Sequence, residues 1–189
     1  VPVINGLSDL LHPCQILTDI FTLQEHVDNL KKTKIVYLGD GNNIANSWVN
    51  GTARMGLDLR IVCPKNYLPD LDILKIAQVE TVKTGGKIEL CHDPEDGVSG
   101  ADVIYTDVWV SMGQEGESKK KKEILKPFQL NSDLVKKSGK DSLIMHCLPA
   151  HRGEEITSEV MDGPLSIIYN QVENRLHVQK AILEHLLAP

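Results

Sequence analysis

The sequence predicts an α/β fold: a doubly wound, mostly parallel sheet with helices on both faces, in a single domain. Six short runs rich in Val, Ile and Leu do not alternate strictly with polar residues, which indicates strands buried on both faces of a parallel sheet. Amphipathic segments lie between several of these runs, and alternating strands and helices are typical of this class. A chain of 189 residues with 41% hydrophobic content is enough for one domain with a core.

The predicted elements are short and follow one another without a low-complexity linker. The strands are Lys34–Leu38, Leu57–Cys63, Lys87–Cys91, Asp102–Thr106, Ser142–His146 and Ser166–Tyr169. The clearest helical pattern is an apolar spacing of four and three at Ile16, Ile20, Leu23, Val27 and Leu30. Ligands of such sheets bind beyond the carboxyl ends of the strands, so the polar residues directly after each strand are the candidates for a site.

The charge, hydropathy and cysteine content argue against some binding partners and indicate the type of cellular compartment. The formal net charge of −6 offers no electrostatic footprint for nucleic acid, and the basic run Lys119–Lys122 is interpreted as a solvated helix start. No run approaches the roughly 20 apolar residues of a membrane span, and the first residues do not resemble a signal peptide. The four cysteines are Cys14, Cys63, Cys91 and Cys147. They could form two disulfides, but their scattered positions favour free thiols in a reducing compartment, the cytoplasm or the mitochondrial matrix.

The first strand runs into a glycine-rich turn, Gly39–Asn43 (GDGNN). A dinucleotide-binding GxGxxG motif fails here, because position 44 is Ile44 and the second strand ends without the acidic residue that holds a ribose. The turn instead places Asn42 and Asn43 at a helix N-terminus, where Asn is a good cap. One Asn is enough to cap the helix, so the second is a candidate ligand contact.

The fourth strand is followed by the segment 107–113 (DVWVSMG). Asp107, at the end of the strand, can pair with a ligand ammonium group or cap the next turn. Gly113 and Gly116 would give the loop that carries Ser111 and Met112 the freedom to close as a lid.

The fifth strand ends in His146-Cys147-Leu148-Pro149. Pro149 should hold Leu148 in an extended conformation. Cys147 remains open as core filler, nucleophile or substrate contact, although no Cys–His–Asn spacing supports a nucleophile. Zinc ligation by His146 and Cys147 is disfavoured because adjacent strand residues point apart, so no metal site is predicted.

Two further candidates lie on helices near the ends of the chain. Pro13 predicts a helix start that places His12 and Gln15 at an N-terminus, where free N–H groups and the helix dipole attract anions. The alternative is a capped helix whose His12 is merely exposed. Arg175, at the start of the last predicted helix, is either a surface residue or a contact for a phosphate or a polarised carbonyl.

Together these motifs resemble the ornithine carbamoyltransferase family. The matching pieces span nearly the whole chain in the family's order: HPCQ at 12–15, GDGNN at 39–43, DVWVSMG at 107–113, HCLPAHRGEEIT at 146–157 and ENR at 173–175. DxWxSMG and HCLP together are highly specific. Aspartate carbamoyltransferases typically have proline where this chain has Cys147, and the SMG tripeptide argues against carbamoyltransferases that act on acetylated or decarboxylated ornithine.

The resemblance implies a reaction and a role for each matching residue. The family transfers a carbamoyl group from carbamoyl phosphate to the side-chain amine of ornithine, giving citrulline and phosphate, without a metal or an organic cofactor. Contacts with ornithine would fall to Asn43, Asp107, Ser111 and Met112. Contacts with carbamoyl phosphate would fall to His12, Gln15, Cys147, Leu148 and Arg175. Three of these would be catalytic: Cys147 beside the substrate amine, with His12 and Arg175 polarising the carbonyl oxygen.

The resemblance also implies a second domain. The family's N-terminal domain carries a Ser-Thr-Arg-Thr-Arg phosphate motif, which does not occur in these residues. We therefore expect residues 1–189 to be the C-terminal, ornithine-binding domain, folded but inactive alone, of a homotrimer held together largely by the other domain. The remaining interpretations are a carbamoyltransferase for putrescine or modified ornithine, a non-catalytic amino-acid-binding domain and, more distantly, a dinucleotide enzyme.

Overall fold

The computed structural model describes residues 1–110 and 118–187, and a parallel five-stranded sheet lies at the centre of this part of the chain. Each pair of neighbouring strands runs in parallel, in the order β3-β2-β1-β4-β5. The strands are β1 (Lys34–Leu38), β2 (Asp58–Val62), β3 (Lys87–Cys91), β4 (Val103–Thr106) and β5 (Leu143–His146). Five of the six predicted strands are confirmed to within one residue at either end.

Helices connect and flank the strands. The α-helices are α1 (Pro13–His26), α2 (Asn43–Met55), α3 (Leu71–Thr84), α4 (Pro94–Val98), α5 (Ser118–Leu125), α6 (Ser132–Lys136), α7 (Ser158–Met161) and α8 (Ile168–Leu187). Short 3-10 helices occupy Leu30–Lys32 and Lys126–Phe128. Within residues 1–110 and 118–187, no helix has both the length and the apolar content to cross a membrane.

The side chains of β1 alternate between two apolar cores. Ile35 and Tyr37 pack in a core with α1, α2 and α3, whereas Val36 and Leu38 pack in a second core with α4, α6 and α7. All four side chains are fully buried. The central strand is therefore covered by helices on both faces, as its continuous apolar run predicts.

A topological switch point lies between β1 and β4. From β1 the chain proceeds through β2 and β3 to one edge of the sheet, and from β4 it proceeds through β5 to the other. In open α/β sheets the ligand crevice lies at this point, beyond the carboxyl ends of the strands. The turn Gly39–Asn43 follows β1 and Asp107 follows β4, so both flank the crevice.

The predicted strand Ser166–Tyr169 is wrong. Ser166 forms only an isolated bridge with Ile144, and α8 begins at Ile168. Two backbone hydrogen bonds join the segment to β5, from Ile144 N–H to the Leu165 carbonyl (2.9 Å) and from Ile167 N–H to the Ile144 carbonyl (3.0 Å). Ile167 packs in the first core and Ile168, at the start of the helix, packs in the second. Tertiary packing therefore overrides the strand preference of these two β-branched residues.

The first helix ends earlier than its apolar spacing predicts. It stops at His26, and Val27 has extended backbone angles (φ −128°, ψ 140°). Asn29 then caps a new 3-10 turn by accepting a hydrogen bond from Lys31 N–H over 3.1 Å. Leu30 lies in that turn but still packs against the first core, which explains why its spacing fitted the helical pattern.

Gly41 makes a close backbone approach that should not tolerate a side chain. A Cβ at Gly41 would lie 2.2 Å from the backbone carbonyl carbon of Leu68. We expect Gly41→Ala to lower the free energy of unfolding by about 3 kcal/mol, because backbone cannot move aside as a flexible side chain can. The control Gly6→Ala, whose Cβ meets nothing within 4 Å, should stay within about 0.5 kcal/mol. Urea denaturation measures both, and equal midpoints for the two variants would contradict this.

Candidate functional site

Asn42 joins the two strand ends that flank the crevice. Its Oδ1 accepts hydrogen bonds from the backbone N–H groups of Ile44 (3.0 Å) and Ala45 (3.2 Å), which caps α2 as predicted. Its Nδ2 donates to Asp107 Oδ2 over 2.6 Å. The cap therefore also fixes a carboxylate at the end of β4, a contact that spacing alone did not reveal.

Asp107 is a buried carboxylate at the switch point. It accepts hydrogen bonds from Asn42, from Val108 N–H (2.7 Å) and from the thiol of Cys147 (2.9 Å). A carboxylate can accept about four hydrogen bonds, and three come from described residues. Asp107 therefore retains acceptor capacity for a ligand ammonium group.

Cys147 is a protonated thiol in the wall of the site. Burial, followed by the negative charge of Asp107, raises the pKa of Cys147 well above its usual value. A thiol held neutral in this way is a poor nucleophile, which favours a substrate contact over a covalent role. All four cysteines are free, so the disulfide alternative is wrong.

His146, which precedes Cys147 at the end of β5, has protein partners on both ring nitrogens. Its Nδ1 accepts from Leu148 N–H over 2.8 Å, so the proton is on Nε2, which lies 3.3 Å from Glu155 Oε1. The expectation that His146 and Cys147 point apart is wrong: their ligand atoms and that of Asp107 lie within 4.8 Å of one another. The reason is that β5 ends at His146 and strand alternation ends with it. These atoms are already engaged with one another or with neighbouring protein groups.

Leu148 is not extended, contrary to the prediction from Pro149. Its φ is +56°, in the left-handed region, and its peptide bond to Pro149 is cis. The hydrogen bond from Leu148 N–H to the His146 ring holds this turn, and the Leu148 side chain packs against the second core. These contacts offset the roughly 1 kcal/mol that a left-handed residue other than glycine costs.

The N-terminus of α1 presents two buried polar atoms without a partner among the described residues: His12 Nδ1 and Gln15 Oε1. Pro13 starts the helix as predicted, and His12 N–H donates to Ser47 Oγ over 2.7 Å. Burial, and next the positive charge of Arg175, lower the pKa of His12. His12 is therefore a neutral, half-buried imidazole at neutral pH rather than an exposed side chain.

Arg175 is a partly buried cation beside the start of α1. It lies in the second turn of α8, not at the helix start as predicted, because α8 begins at Ile168. Its charge lowers the pKa of His12 and opposes the rise in that of Asp19, which places it near both. None of the described residues forms a hydrogen bond or an ion pair with Arg175, so its guanidinium has donors to offer a ligand.

A buried polar network under the site escaped the sequence analysis. Asp19, on α1, accepts from Gln15 Nε2 (2.8 Å) and from Gln171 Nε2 (2.7 Å), and Gln171 lies 3.3 Å from the Tyr105 hydroxyl. The usable signal was the pair of polar residues at positions 15 and 19, spaced one turn apart beside the apolar face of the helix.

Asp19 should give the protein a distinctive pH dependence. Burial raises the pKa of Asp19 to about 7, against hydrogen bonds from Gln15, Gln171 and Tyr105 and the charge of Arg175. A carboxyl whose pKa rises on folding stabilises the fold most at low pH, and this contribution is lost as pH rises toward 7. The free energy of unfolding should therefore fall relative to that of Asp19→Asn, by roughly 1 kcal/mol per pH unit, between pH 4 and 7. Urea titrations at several pH values test this, and parallel curves would contradict it.

The remaining candidate residues are only partly described. Asn43 donates from Nδ2 to the Ser8 carbonyl over 2.9 Å, which leaves its side-chain oxygen without a described partner. Ser111, Met112 and the predicted lid lie outside the described residues.

Lys121 ties α5 to the turn after β1. Its Nζ lies 2.6 Å from Asp40 Oδ2, with both side chains about nine-tenths buried, and 5.3 Å from the centre of the Tyr67 ring. Burial raises the pKa of Asp40, although Lys121 opposes the shift. The interpretation of Lys119–Lys122 as a solvated run is thus wrong at Lys121, because the buried carboxylate requires a paired cation.

The fold and the site define a class of protein: a parallel α/β domain with a buried carboxylate at its switch point and a cation, Arg175, that has no partner among residues 1–110 and 118–187. Residues 31–186 match the family described as Aspartate/ornithine carbamoyltransferase, Asp/Orn binding domain. The chain belongs to this family, which confirms the resemblance in its sequence and removes the dinucleotide alternative.

Individual proteins of high sequence identity to this chain are ornithine carbamoyltransferases. An ornithine carbamoyltransferase of Syntrophus aciditrophicus (strain SB) is 56% identical over 187 residues, which are 99% of this chain and 61% of that protein. One of Pyrococcus abyssi is 51% identical over 99% of this chain and 59% of that protein. The structure of the Pyrococcus furiosus ornithine carbamoyltransferase is 52% identical with a TM-score of 0.92, over 97% of this chain and 59% of that one. The chain thus spans about three fifths of the length of these relatives.

Proposed function

We propose that this chain is the ornithine-binding domain of an ornithine carbamoyltransferase, which transfers a carbamoyl group from carbamoyl phosphate to the side-chain amine of L-ornithine. The observation that carries the proposal is the buried pair of Asp107 and Cys147, 2.9 Å apart at the switch point. It offers a carboxylate for an ammonium group beside a neutral thiol. The domain alone is inactive, because a separate domain supplies the rest of the carbamoyl-phosphate site.

Ornithine is held by its amino-acid end. Asp107 pairs with the α-ammonium group, and Asn43 offers its side-chain oxygen at the start of α2. Ser111 and Met112, in the segment that follows Asp107 in the sequence, complete this end of the substrate site. The thiol of Cys147 lies along the substrate and contacts the side-chain amine.

Carbamoyl phosphate binds between the start of α1 and α8. Arg175 and neutral His12 donate hydrogen bonds to the carbonyl oxygen, on which negative charge develops in the transition state. Gln15 contacts the carbamoyl group, and Leu148 contributes a backbone contact beside Cys147. The N-terminal end of α1 also favours an anion.

The reaction needs the ornithine amine in its neutral form. A free amine of this kind has a pKa of about 10.4, and a partly buried site next to Arg175 disfavours the ammonium form. The amine attacks the carbonyl carbon, the new C–N bond forms, the bond to the phosphate oxygen breaks and the departing phosphate takes the proton that the amine loses. Citrulline and phosphate result, and neither a metal nor an organic cofactor takes part.

The whole protein is proposed to be a cytoplasmic homotrimer whose contacts are made largely by the other domain. We propose that the enzyme works in the biosynthetic direction, from ornithine to citrulline. A relative from Pyrococcus furiosus that is 52% identical is named an anabolic ornithine carbamoyltransferase.

A citrulline assay tests the proposal. The full-length protein is given carbamoyl phosphate with L-ornithine, putrescine or N-acetylornithine, and each carbamoylated product is quantified. Citrulline from ornithine, with at most about 1% of that rate on either other amine, is the expected result. Preference for putrescine would show that a carboxylate-free amine is the substrate, and no product from any amine would favour a non-catalytic binding domain.

A further inference from the structure

Gln15 has a buried amide of which only one polar atom is bonded. Its Nε2 donates to Asp19 Oδ1 over 2.8 Å, one turn along α1, whereas its Oε1 is buried without a partner among the described residues. Asp19 Oδ1 also accepts from Gln171 Nε2, and a carboxyl oxygen can accept whether the group is ionised or carries its proton on the other oxygen, so the group of Gln15 that faces Asp19 Oδ1 is the NH2. The amide oxygen therefore points away from Asp19 Oδ1 and stays free to accept a hydrogen bond from a ligand.

Asp19 is itself fixed from a second helix. Gln171 Nε2 donates to the same Asp19 oxygen over 2.7 Å. Gln171 Oε1 accepts from His146 N–H over 3.0 Å, so the NH2 of Gln171 must also face Asp19. Asp19, Gln171 and His146 are fully buried. Two amides from two helices thus point their donors at one acceptor, and neither can turn over without leaving a buried group unsatisfied.

We infer that Asp19 is a positioning residue: it fixes the Gln15 amide so that Oε1 accepts a hydrogen bond from the carbamoyl NH2 of the donor substrate. The inference rests on the proposed function, which makes carbamoyl phosphate the ligand of Gln15. A Gln15 amide turned by 180° would face this NH2 with its own NH2, and two donors cannot satisfy each other.

The orientation of Gln15 decides which way round the carbamoyl group binds. That group has an oxygen that accepts hydrogen bonds and an NH2 that donates them. Arg175 and neutral His12 are donors, which suit the oxygen, and Gln15 Oε1 is an acceptor, which suits the NH2. Asp19 thereby places the carbonyl oxygen against the residues that polarise it, although Asp19 does not touch the substrate.

A double-mutant cycle separates this role from general support of the fold. In the full-length enzyme, Asp19→Ala should raise the KM for carbamoyl phosphate about tenfold, the factor expected for one misdirected hydrogen bond. In a Gln15→Ala background the same change should raise it less than about twofold, because no amide remains to be oriented. The KM for ornithine, at saturating carbamoyl phosphate, should change less than about threefold in each variant.

Asp19→Asn is the conservative control. It keeps an oxygen that accepts from both amides, so it should remain within about threefold of wild type. If Asp19→Ala does not fold, Asp19→Ser, which is too short to reach Gln15, takes its place with the same expectations. Equal factors in the two Gln15 backgrounds, or an Asp19→Asn loss as large as that of Asp19→Ala, would overturn the inference. Wild-type enzyme that makes no citrulline would instead overturn the proposed function, and with it the ligand named here.

Discussion

Asp107→Asn should lower kcat/KM for ornithine roughly a thousandfold. Asn keeps the shape of the side chain, but its one oxygen can accept from Asn42 or from Val108, not from both, and it cannot neutralise the ammonium group of the substrate. Removing one partner of a buried charge pair costs about 3–5 kcal/mol, and each 1.4 kcal/mol is a factor of ten. Steady-state kinetics of the full-length enzyme, with ornithine varied at saturating carbamoyl phosphate, give this ratio.

Asp102→Asn is the matched control for this prediction. Asp102 precedes the same strand at its opposite end, where it accepts from Lys34 N–H (2.8 Å) and pairs with Lys140 (2.6 Å). Since that end of the sheet is remote from the crevice, kcat/KM should change less than about threefold. Similar losses in the two variants would show that Asp107 acts through the fold and not through the substrate.

Arg175→Ala should lower kcat by about 100-fold to 1000-fold, the usual effect of removing one donor that stabilises developing negative charge. Arg175 has no hydrogen-bond or ion-pair partner in the described part of the chain, so its loss should leave the fold intact. Lys180→Ala removes one positive charge from an exposed position of the same helix, and its kcat should stay within about twofold of wild type. A thermal melt of each variant, with kcat at saturation, separates activity from stability. A normal kcat in Arg175→Ala would remove Arg175 from the site.

The sequence predicted the sheet, and it placed several candidate residues at one edge of that sheet, for one physical reason. Strands buried on both faces need continuous apolar runs, and the residues after them meet at one edge of a parallel sheet. This rule placed Asn42 and Asp107 at the same edge of the sheet, although they are 65 positions apart, but it did not reveal the hydrogen bond between them. The contact between Asp107 and Cys147 follows from the same rule, because β4 and β5 are neighbours.

Features that depend on packing between distant elements were not predictable. Asp19 and Gln171 are 152 positions apart, and nothing in the local pattern of either helix shows that their side chains meet. Ile168 is a β-branched residue that favours a strand, but it begins α8, because its side chain packs in the second core. Lys121 looks like one of four solvated lysines, and only the fold brings it to Asp40.

Citrulline formation by residues 1–189, alone and mixed with a separately produced carbamoyl-phosphate-binding domain, tests the central claim most directly. A site in which this chain supplies Asp107, Cys147, His12 and Arg175 but not the whole phosphate pocket predicts no citrulline from the chain alone and measurable citrulline from the mixture. Loss of the product when the mixture contains Asp107→Asn would assign the activity to this site. Citrulline from residues 1–189 alone would contradict the claim that the site is shared between two domains.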